Sequence, residues 1–193
     1  MRIAGLVLAG GQSSRFGANK ALALLNGEPL AARMARLLNV HCGHVALSAS
    51  EALLGPDVSF LVDPPGTPAG PLAGVLAGLR WAKDAGAEWL VTAPCDTPLL
   101  PEDFAARLVE TAETAGARAA VIASGDGVHP LCAAWRVTLL PGLDAALVEG
   151  HPPVHVFLED AGAAQLRVAD EHLININTPS DLERAGQLLA KRY

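Results

Sequence analysis

The sequence predicts an α/β fold of three layers, a mainly parallel sheet with helices on both faces. Apolar runs of four to six residues alternate with longer segments of helical period, the pattern of βαβ units. Each helical segment opens at or near a proline, whose missing N–H costs nothing in a first turn. Hydrophobic residues make up 51% of the chain and charged residues 18%, which provides for a substantial core. With aromatics at 4%, that core must be built from Ala, Val and Leu.

Taken in order, Ile3–Leu8, His44–Leu47, Ser59–Val62, Trp89–Thr92 and Ala119–Ala123 read as strands. Pro29–Leu38, Pro71–Ala85, Pro101–Ala115 and Pro179–Lys191 read as helices. The last has the clearest start: Thr178 caps it, Pro179 takes the first helical position, and Asp181 takes the third, beside the positive end of the helix dipole. After Ser124 the pattern loosens, with Val128–Trp135 a candidate strand, Leu139–Glu149 a short helix and His151–Pro153 a rigid loop. No repeat, low-complexity tract or linker interrupts the chain, so residues 1–193 are expected to form one domain. Ligands of such sheets bind at the carboxyl ends of the strands, near a switch in strand order.

Composition narrows the function. The 14 basic and 20 acidic residues leave a net charge of −6 with no basic stripe, which argues against a nucleic-acid partner. Cys42, Cys95 and Cys132 are far apart and form no CxxC, so neither a disulfide framework nor a zinc site is expected. Ile3–Leu8 is too short for a signal segment, and no apolar run reaches membrane-spanning length. The expected location is cytoplasmic, with no membrane partner.

The stretch Leu8-Ala9-Gly10-Gly11-Gln12-Ser13-Ser14-Arg15-Phe16-Gly17-Ala18-Asn19-Lys20 carries most of the information. Adjacent glycines at a strand end permit a sharp turn and close approach to a ligand. Successive N–H groups there can cradle phosphate oxygens, and Arg15 and Lys20 add two cations suited to a polyphosphate. The plain alternative is a glycine-rich turn with two solvated cations. The loop lacks G-x-G-x-x-G, and Gly17 is followed by Ala18, so dinucleotide oxidoreductases and P-loop ATPases fit poorly.

Further residues lie where the fold would gather them. Asp96 follows the strand Trp89–Thr92 on a turn stiffened by Pro94 and Pro98; it reads as a Mg²⁺ ligand or as a turn residue bonding its own backbone. Cys95 reads as a small buried residue. The glycines of Gly70–Gly74 serve either close packing or anion binding at a helix N-terminus. On a strand, Asn175 and Asn177 share one face; they offer a hydrogen-bonding patch, or one of them bonds backbone near Thr178. His129, before Pro130, is a structural hydrogen-bonder or a substrate contact. The remaining histidines show no ligand spacing.

LAGGQSSRFGANKAL followed by LNGEPL resembles the opening of the molybdenum cofactor guanylyltransferases, which have a nucleotide-diphospho-sugar transferase type of α/β fold. The resemblance continues through Gly70-Pro71-Leu72-Ala73-Gly74, Pro94-Cys95-Asp96-Thr97-Pro98, His129-Pro130-Leu131 and Asn175-Ile176-Asn177-Thr178-Pro179, spanning almost the whole chain in the family's order. It implies transfer of GMP from GTP to the terminal phosphate of molybdopterin, with release of pyrophosphate. It implies Lys20, Arg15 and Asp96 as catalytic residues, Asp96 holding Mg²⁺. Leu8, Ala9, Gly10, Gly11, Lys20, Ser48, Asp63 and Asp96 would contact the nucleotide, although Asp63 also reads as a loop cap. Gly74, His129, Asn175 and Asn177 would contact substrate. Partners implied are GTP, molybdopterin, and in transient contacts other cofactor-biosynthesis proteins or molybdoenzymes.

The chain departs from the family pattern at three places. Phe16 replaces a common Met, Ser48 stands where guanylyltransferases often carry Asn, and His151-Pro152-Pro153 stands where they often carry Arg or Lys. A serine has a shorter reach and makes fewer hydrogen bonds, and loss of the cation weakens the expected grip on the pterin-side phosphate. The extra glycine of Leu8-Ala9-Gly10-Gly11, Gly10, where cytidylyltransferases tend to read L-A-A-G, resembles the guanylyl branch. A CTP-using molybdopterin cytidylyltransferase, another small-molecule nucleotidyltransferase and a non-catalytic GTP-binding module are the alternatives.

Overall fold

β1 (Ile3–Leu8) shows how the layers are built. Strand side chains alternate between faces: Ala4 and Leu6 enter one core, Val7 the other, and all three are 0% exposed. The computed structural model describes residues 2–9, 19–49, 59–64, 66–67 and 70–191. Within them β1 lies between β4 (His44–Ser48) and β6 (Trp89–Pro94), parallel to both. With β5 (Ser59–Leu61), β7 (Ala119–Ser124), β8 (Gly127–Arg136) and β9 (Ala164–Arg167) they form a seven-stranded sheet of order β5-β4-β1-β6-β8-β7-β9. Only β8 runs antiparallel to its neighbours.

Helices cover both faces, as expected. α1 (Leu30–Asn39), α3 (Phe104–Thr114) and α6 (Pro179–Ala190) bury Met34, Phe104 and Leu189 in the core that holds Val7. α2 (Pro71–Asp84), α4 (Leu140–Glu149) and α5 (Val154–Asp160) bury Leu76, Leu143 and Leu158 in the core that holds Leu6. α2 packs hard on the sheet: a Cβ on Gly78 would stand 2.6 Å from Leu6 Cδ2. Among the described residues no helix is long and apolar enough to cross a membrane.

Several element boundaries differ from expectation. α1 starts one residue after Pro29, because Glu28–Pro29 forms β3, paired with β2 (Leu24–Leu25) across an Asn26-Gly27 turn. Both turn residues have positive φ, 52° and 85°, the requirement of a tight hairpin turn. α3 starts at Phe104 rather than Pro101. Residues 173–177 are no strand. They run between a 3₁₀ turn, Asp170–His172, and the cap of α6, and Ile176 N–H goes to the Asp96 carbonyl in a loop rather than to a strand. α5 and β9 were not predicted.

After β5 the chain crosses the sheet through α2 and continues at β6, on the other side of β1. The carboxyl ends of β1, β4 and β6 therefore border a crevice at a switch in strand order.

Candidate active site

Three backbone bonds close the floor of this crevice. Ala9 N–H donates to the Ser48 carbonyl at 3.0 Å, Cys95 N–H to the Leu8 carbonyl at 3.1 Å, and Ile176 N–H to the Asp96 carbonyl at 2.8 Å. The ends of β1, β4 and β6 and the segment before α6 are thereby fixed to one another. Ala9 N–H is taken up by Ser48, so phosphate donors in this loop must be sought beyond it. Gly10, Gly11 and Arg15, on which the predicted cradle depends, lie outside the described residues.

Lys20 begins a 3₁₀ turn, Lys20–Leu22, whose cap is Asn19: its side-chain oxygen accepts from Ala21 N–H at 3.1 Å. This directs Lys20 across the crevice. Its Nζ donates to Asp96 Oδ2 and to Asn177 Oδ1, each at 2.8 Å. The ion pair is part-buried, with side-chain exposures of 13% for Lys20 and 28% for Asp96. Residues 76 and 157 positions apart thus meet on one cation, and two oxygens converge where it sits. Of the two asparagines, Asn177 reaches Lys20, whereas Asn175 lies exposed on a segment that is not a strand.

Asp96 is braced by its own loop. Thr97 Oγ1 donates to the Pro94 carbonyl at 3.1 Å. Arg33, on α1, donates through Nε to the Pro98 carbonyl at 2.8 Å. His172 bonds the Leu99 carbonyl through Nδ1 at 3.0 Å. Beside Asp96, burial together with the neighbouring carboxylate pushes the Cys95 thiol up to about 12, so it is no nucleophile at neutral pH. The three cysteines are free and buried.

The remaining predicted residues sit around the same edge. Ser48 ends β4, is 6% exposed, and faces Gly74: a Cβ there would stand 2.7 Å from Ser48 Oγ. Close packing therefore accounts for Gly74, the first of the two readings its sequence allowed. Asp63 is exposed, two residues beyond Leu61, which pairs with Ser48. The ring of His151 packs against Gly70, the cap of α2, and its Nδ1 is buried without a hydrogen-bond partner.

His129 reaches the edge by an irregularity. Along β7 the register jumps from Val121↔Ala133 to Ile122↔His129, leaving Pro130, Leu131 and Cys132 out of the pairing. Pro130 has no N–H to lose there, and such bulges re-aim side chains. His129 Nε2 bonds Ser124 Oγ at 3.0 Å, and the same hydroxyl accepts from Asp126 N–H at 3.2 Å. Among the described residues no group of three or more His, Cys, Asp or Glu forms a metal cage.

Residues 5–168 match the MobA-like NTP transferase domain. Over 196 residues the chain is 43% identical to the molybdenum cofactor guanylyltransferase of Cereibacter sphaeroides, with 99% of each chain covered. It belongs to the molybdenum cofactor guanylyltransferase family. The guanylyltransferase of Rhodobacter capsulatus is 39% identical, covering 98% of this chain and 97% of the relative. The crystal structure of molybdopterin-guanine dinucleotide biosynthesis protein A from Archaeoglobus fulgidus superposes with a TM-score of 0.75 at 23% identity, over 99% of this chain and 100% of that one. The fold is thus the α/β nucleotide-diphospho-sugar transferase type.

Sequence reasoning about this guanylyltransferase family member missed Asn19, Arg33, Ser124 and Asp181 as site supports. Asn19 carried a readable signal, an Asn just before a helical turn. Arg33 and Ser124 did not, because their partners come from distant or irregular backbone.

Proposed function

We propose that this chain transfers GMP from GTP to the terminal phosphate of molybdopterin, forming molybdopterin guanine dinucleotide and releasing pyrophosphate. One observation carries the chemistry: Lys20 Nζ held between Asp96 and Asn177, 2.8 Å from each, at the switch in strand order. Family membership supports the choice of donor and acceptor.

A triphosphate entering beside Lys20 offers its ammonium more negative charge than one carboxylate does. Lys20 then turns to the phosphates and releases Asp96. Arg15 and the N–H groups of Gly10 and Gly11 would complete the charge clamp, a role supported by their place between β1 and Lys20. The nucleotide lies towards Leu8, Ala9, Ser48 and Asp63, at the ends of β1, β4 and β5. The acceptor lies towards His129, near the start of β8, with Asn175 on the exposed segment before α6. An acceptor phosphate oxygen, already anionic, forms the new bond to the α-phosphorus as the bond to pyrophosphate breaks. No proton has to be removed, so the residues act by positioning and charge stabilisation.

The donor set fits magnesium. A carboxylate and an amide oxygen converge on one part-exposed point, which suits an ion that takes few protein oxygens and keeps several waters. Asp96 is the residue proposed to hold it, with Asn177 facing the same point. When bound, Mg²⁺ supplies neutralisation of phosphate charge. The reaction is placed in the cytoplasm, which the free cysteines support. Transient hand-over to other cofactor-biosynthesis proteins or molybdoenzymes is part of the same proposal, supported by family membership.

The test is incubation with GTP, CTP or ATP, each with and without molybdopterin and Mg²⁺, followed by pyrophosphate release and product mass. Expected is a guanine dinucleotide formed only with GTP, acceptor and metal together. Preferred turnover of CTP would move the chain to the cytidylyl branch. Tight GTP binding with no product under any acceptor would make it a binding module.

A further inference from the structure

Asp181 is the third residue of α6 and completes its cap, but its hydrogen bonds exceed that task. A capping box needs the third residue to accept from the N–H of the cap, and Asp181 Oδ2 does so from Thr178 at 2.8 Å. The same oxygen accepts from Thr178 Oγ1 at 2.9 Å and from Asn177 N–H at 2.9 Å, one residue outside the cap. The Asn177 side chain reaches the other way, to Lys20. On the near flank Ile176 is 0% exposed and donates its N–H to the Asp96 carbonyl. The stretch that carries Asn177 is therefore held from both ends, by Asp96 and by Asp181.

We propose that Asp181 is a positioning residue of the transfer reaction, fixing Asn177 so that its amide oxygen and the Asp96 carboxylate converge on one point. The effect on turnover rests on the nucleotidyl-transfer reading; the geometric part does not. Asn177 is exposed, and what Asp181 fixes is its backbone: with the N–H held, the side chain starts from one position and its oxygen meets Lys20. The bonds from Asn177 N–H and from Thr178 keep the Asp181 carboxyl below its ordinary range, so the acceptor stays ionised at neutral pH.

The test compares Asp181→Ala, Asn177→Ala and the double variant with Glu183→Gly, which weakens α6 at an exposed position away from the carboxylate. One readout is the rate at which acetic anhydride modifies Lys20 in the nucleotide-free protein, followed by mass spectrometry. The other is kcat and KM for GTP with molybdopterin. Loss of one hydrogen bond to a charged group predicts about tenfold lower kcat in each single variant, with the KM for GTP within about twofold. Lys20 labelling rises in both single variants, and the double variant is no worse than Asn177→Ala. Asp181→Glu, which keeps the carboxylate, recovers part of the loss, and Glu183→Gly leaves both readouts at the parental level. Parental labelling and turnover in Asp181→Ala, or losses that multiply in the double variant, overturn the proposal. If the parent forms no dinucleotide, the transfer reading falls, and the labelling rates alone decide whether Asp181 places Asn177.

Discussion

The two wings of the sheet reach one edge by different routes. β5, β4, β1 and β6 run parallel and deliver their last residues there, Ser48 and Leu8 among them, with Asp96 just beyond β6. β8 runs against its neighbours and delivers its first residues, with a bulge at Pro130–Cys132 that sets His129 beside β7. The first wing brings charge, a lysine–carboxylate pair braced by backbone bonds. The second brings a hydroxyl–imidazole pair, Ser124 with His129. A polyphosphate donor needs fixed charge where negative charge builds up, which a rigid parallel switch point supplies. A strand that departs from regular pairing is free to shape a second subsite without disturbing the first.

The strongest way to break this contrast is Asp96→Ala. It removes the carboxylate on which the charged wing is centred, and turnover should fall by about two to three orders of magnitude. Stability should change by no more than about 1 kcal/mol, because a part-exposed ion pair contributes little and Lys20 keeps Asn177 as a partner. Turnover assays over a magnesium titration, with a melting curve as control, decide it. Undiminished activity in a folded variant would remove both the metal role and the clamp.

A smaller effect sharpens the division. His129→Ala should raise the KM for molybdopterin roughly tenfold, the loss of one hydrogen bond to a charged group, while the KM for GTP stays unchanged. A rise in the KM for GTP instead would mean that the two wings do not divide donor from acceptor. No change in either constant would leave His129 as a partner of Ser124 alone.

The same contrast explains what could be read from the chain. In the parallel wing Leu90, Val91 and Ala93 are buried with no exposure at all, and such strands show as plain apolar runs. Prolines marked the starts of α2 and α6 and fell one residue before α1 and three before α3, and the family motifs brought Lys20, Asp96 and Asn177 together. In the other wing β9 buries one residue of four, Leu166, and α5 is seven residues long, so neither imprints a clear period. The antiparallel insertion of β8 is a matter of sheet order, which local pattern does not encode. Leu173–Asn177 misled for a related reason. Ile176 is buried between two exposed asparagines, as on a strand, but Leu173, which a strand would put on the asparagines' face, is buried as well; the pattern comes from docking on the Asp96 loop rather than from strand pairing. That Lys20 closes on Asp96 is a tertiary fact across 76 residues.

The smallest effect tests how far the charged wing extends. Glu28, in the β2–β3 hairpin, accepts from Arg36 Nε at 2.9 Å and from Arg33 Nη1 at 3.3 Å. Arg33 in turn holds the Pro98 carbonyl, two residues from Asp96. The Arg36 hydrogen bond, the largest cause, keeps the Glu28 carboxyl below its ordinary range. A carboxyl lowered in the folded state stabilises the fold above its unfolded pKa, and that contribution fades as pH falls through the folded value. Glu28→Gln should therefore lower Tm at pH 7 by at most about 2–4 °C, the equivalent of about 1 kcal/mol for a part-exposed network in a chain of this size. The difference from the parent should shrink as pH falls below the ordinary glutamate range and vanish once it has passed the lowered, folded-state value. Turnover should change by less than about twofold, since Arg33 keeps its bond to Pro98 when Glu28 loses its charge. A Tm difference that is constant across the pH range would place its source in packing of the hairpin. A loss of kcat as deep as that of Asp181→Ala would make Glu28 part of the machinery that holds Asp96, and the charged wing would then begin at the hairpin and not at Lys20.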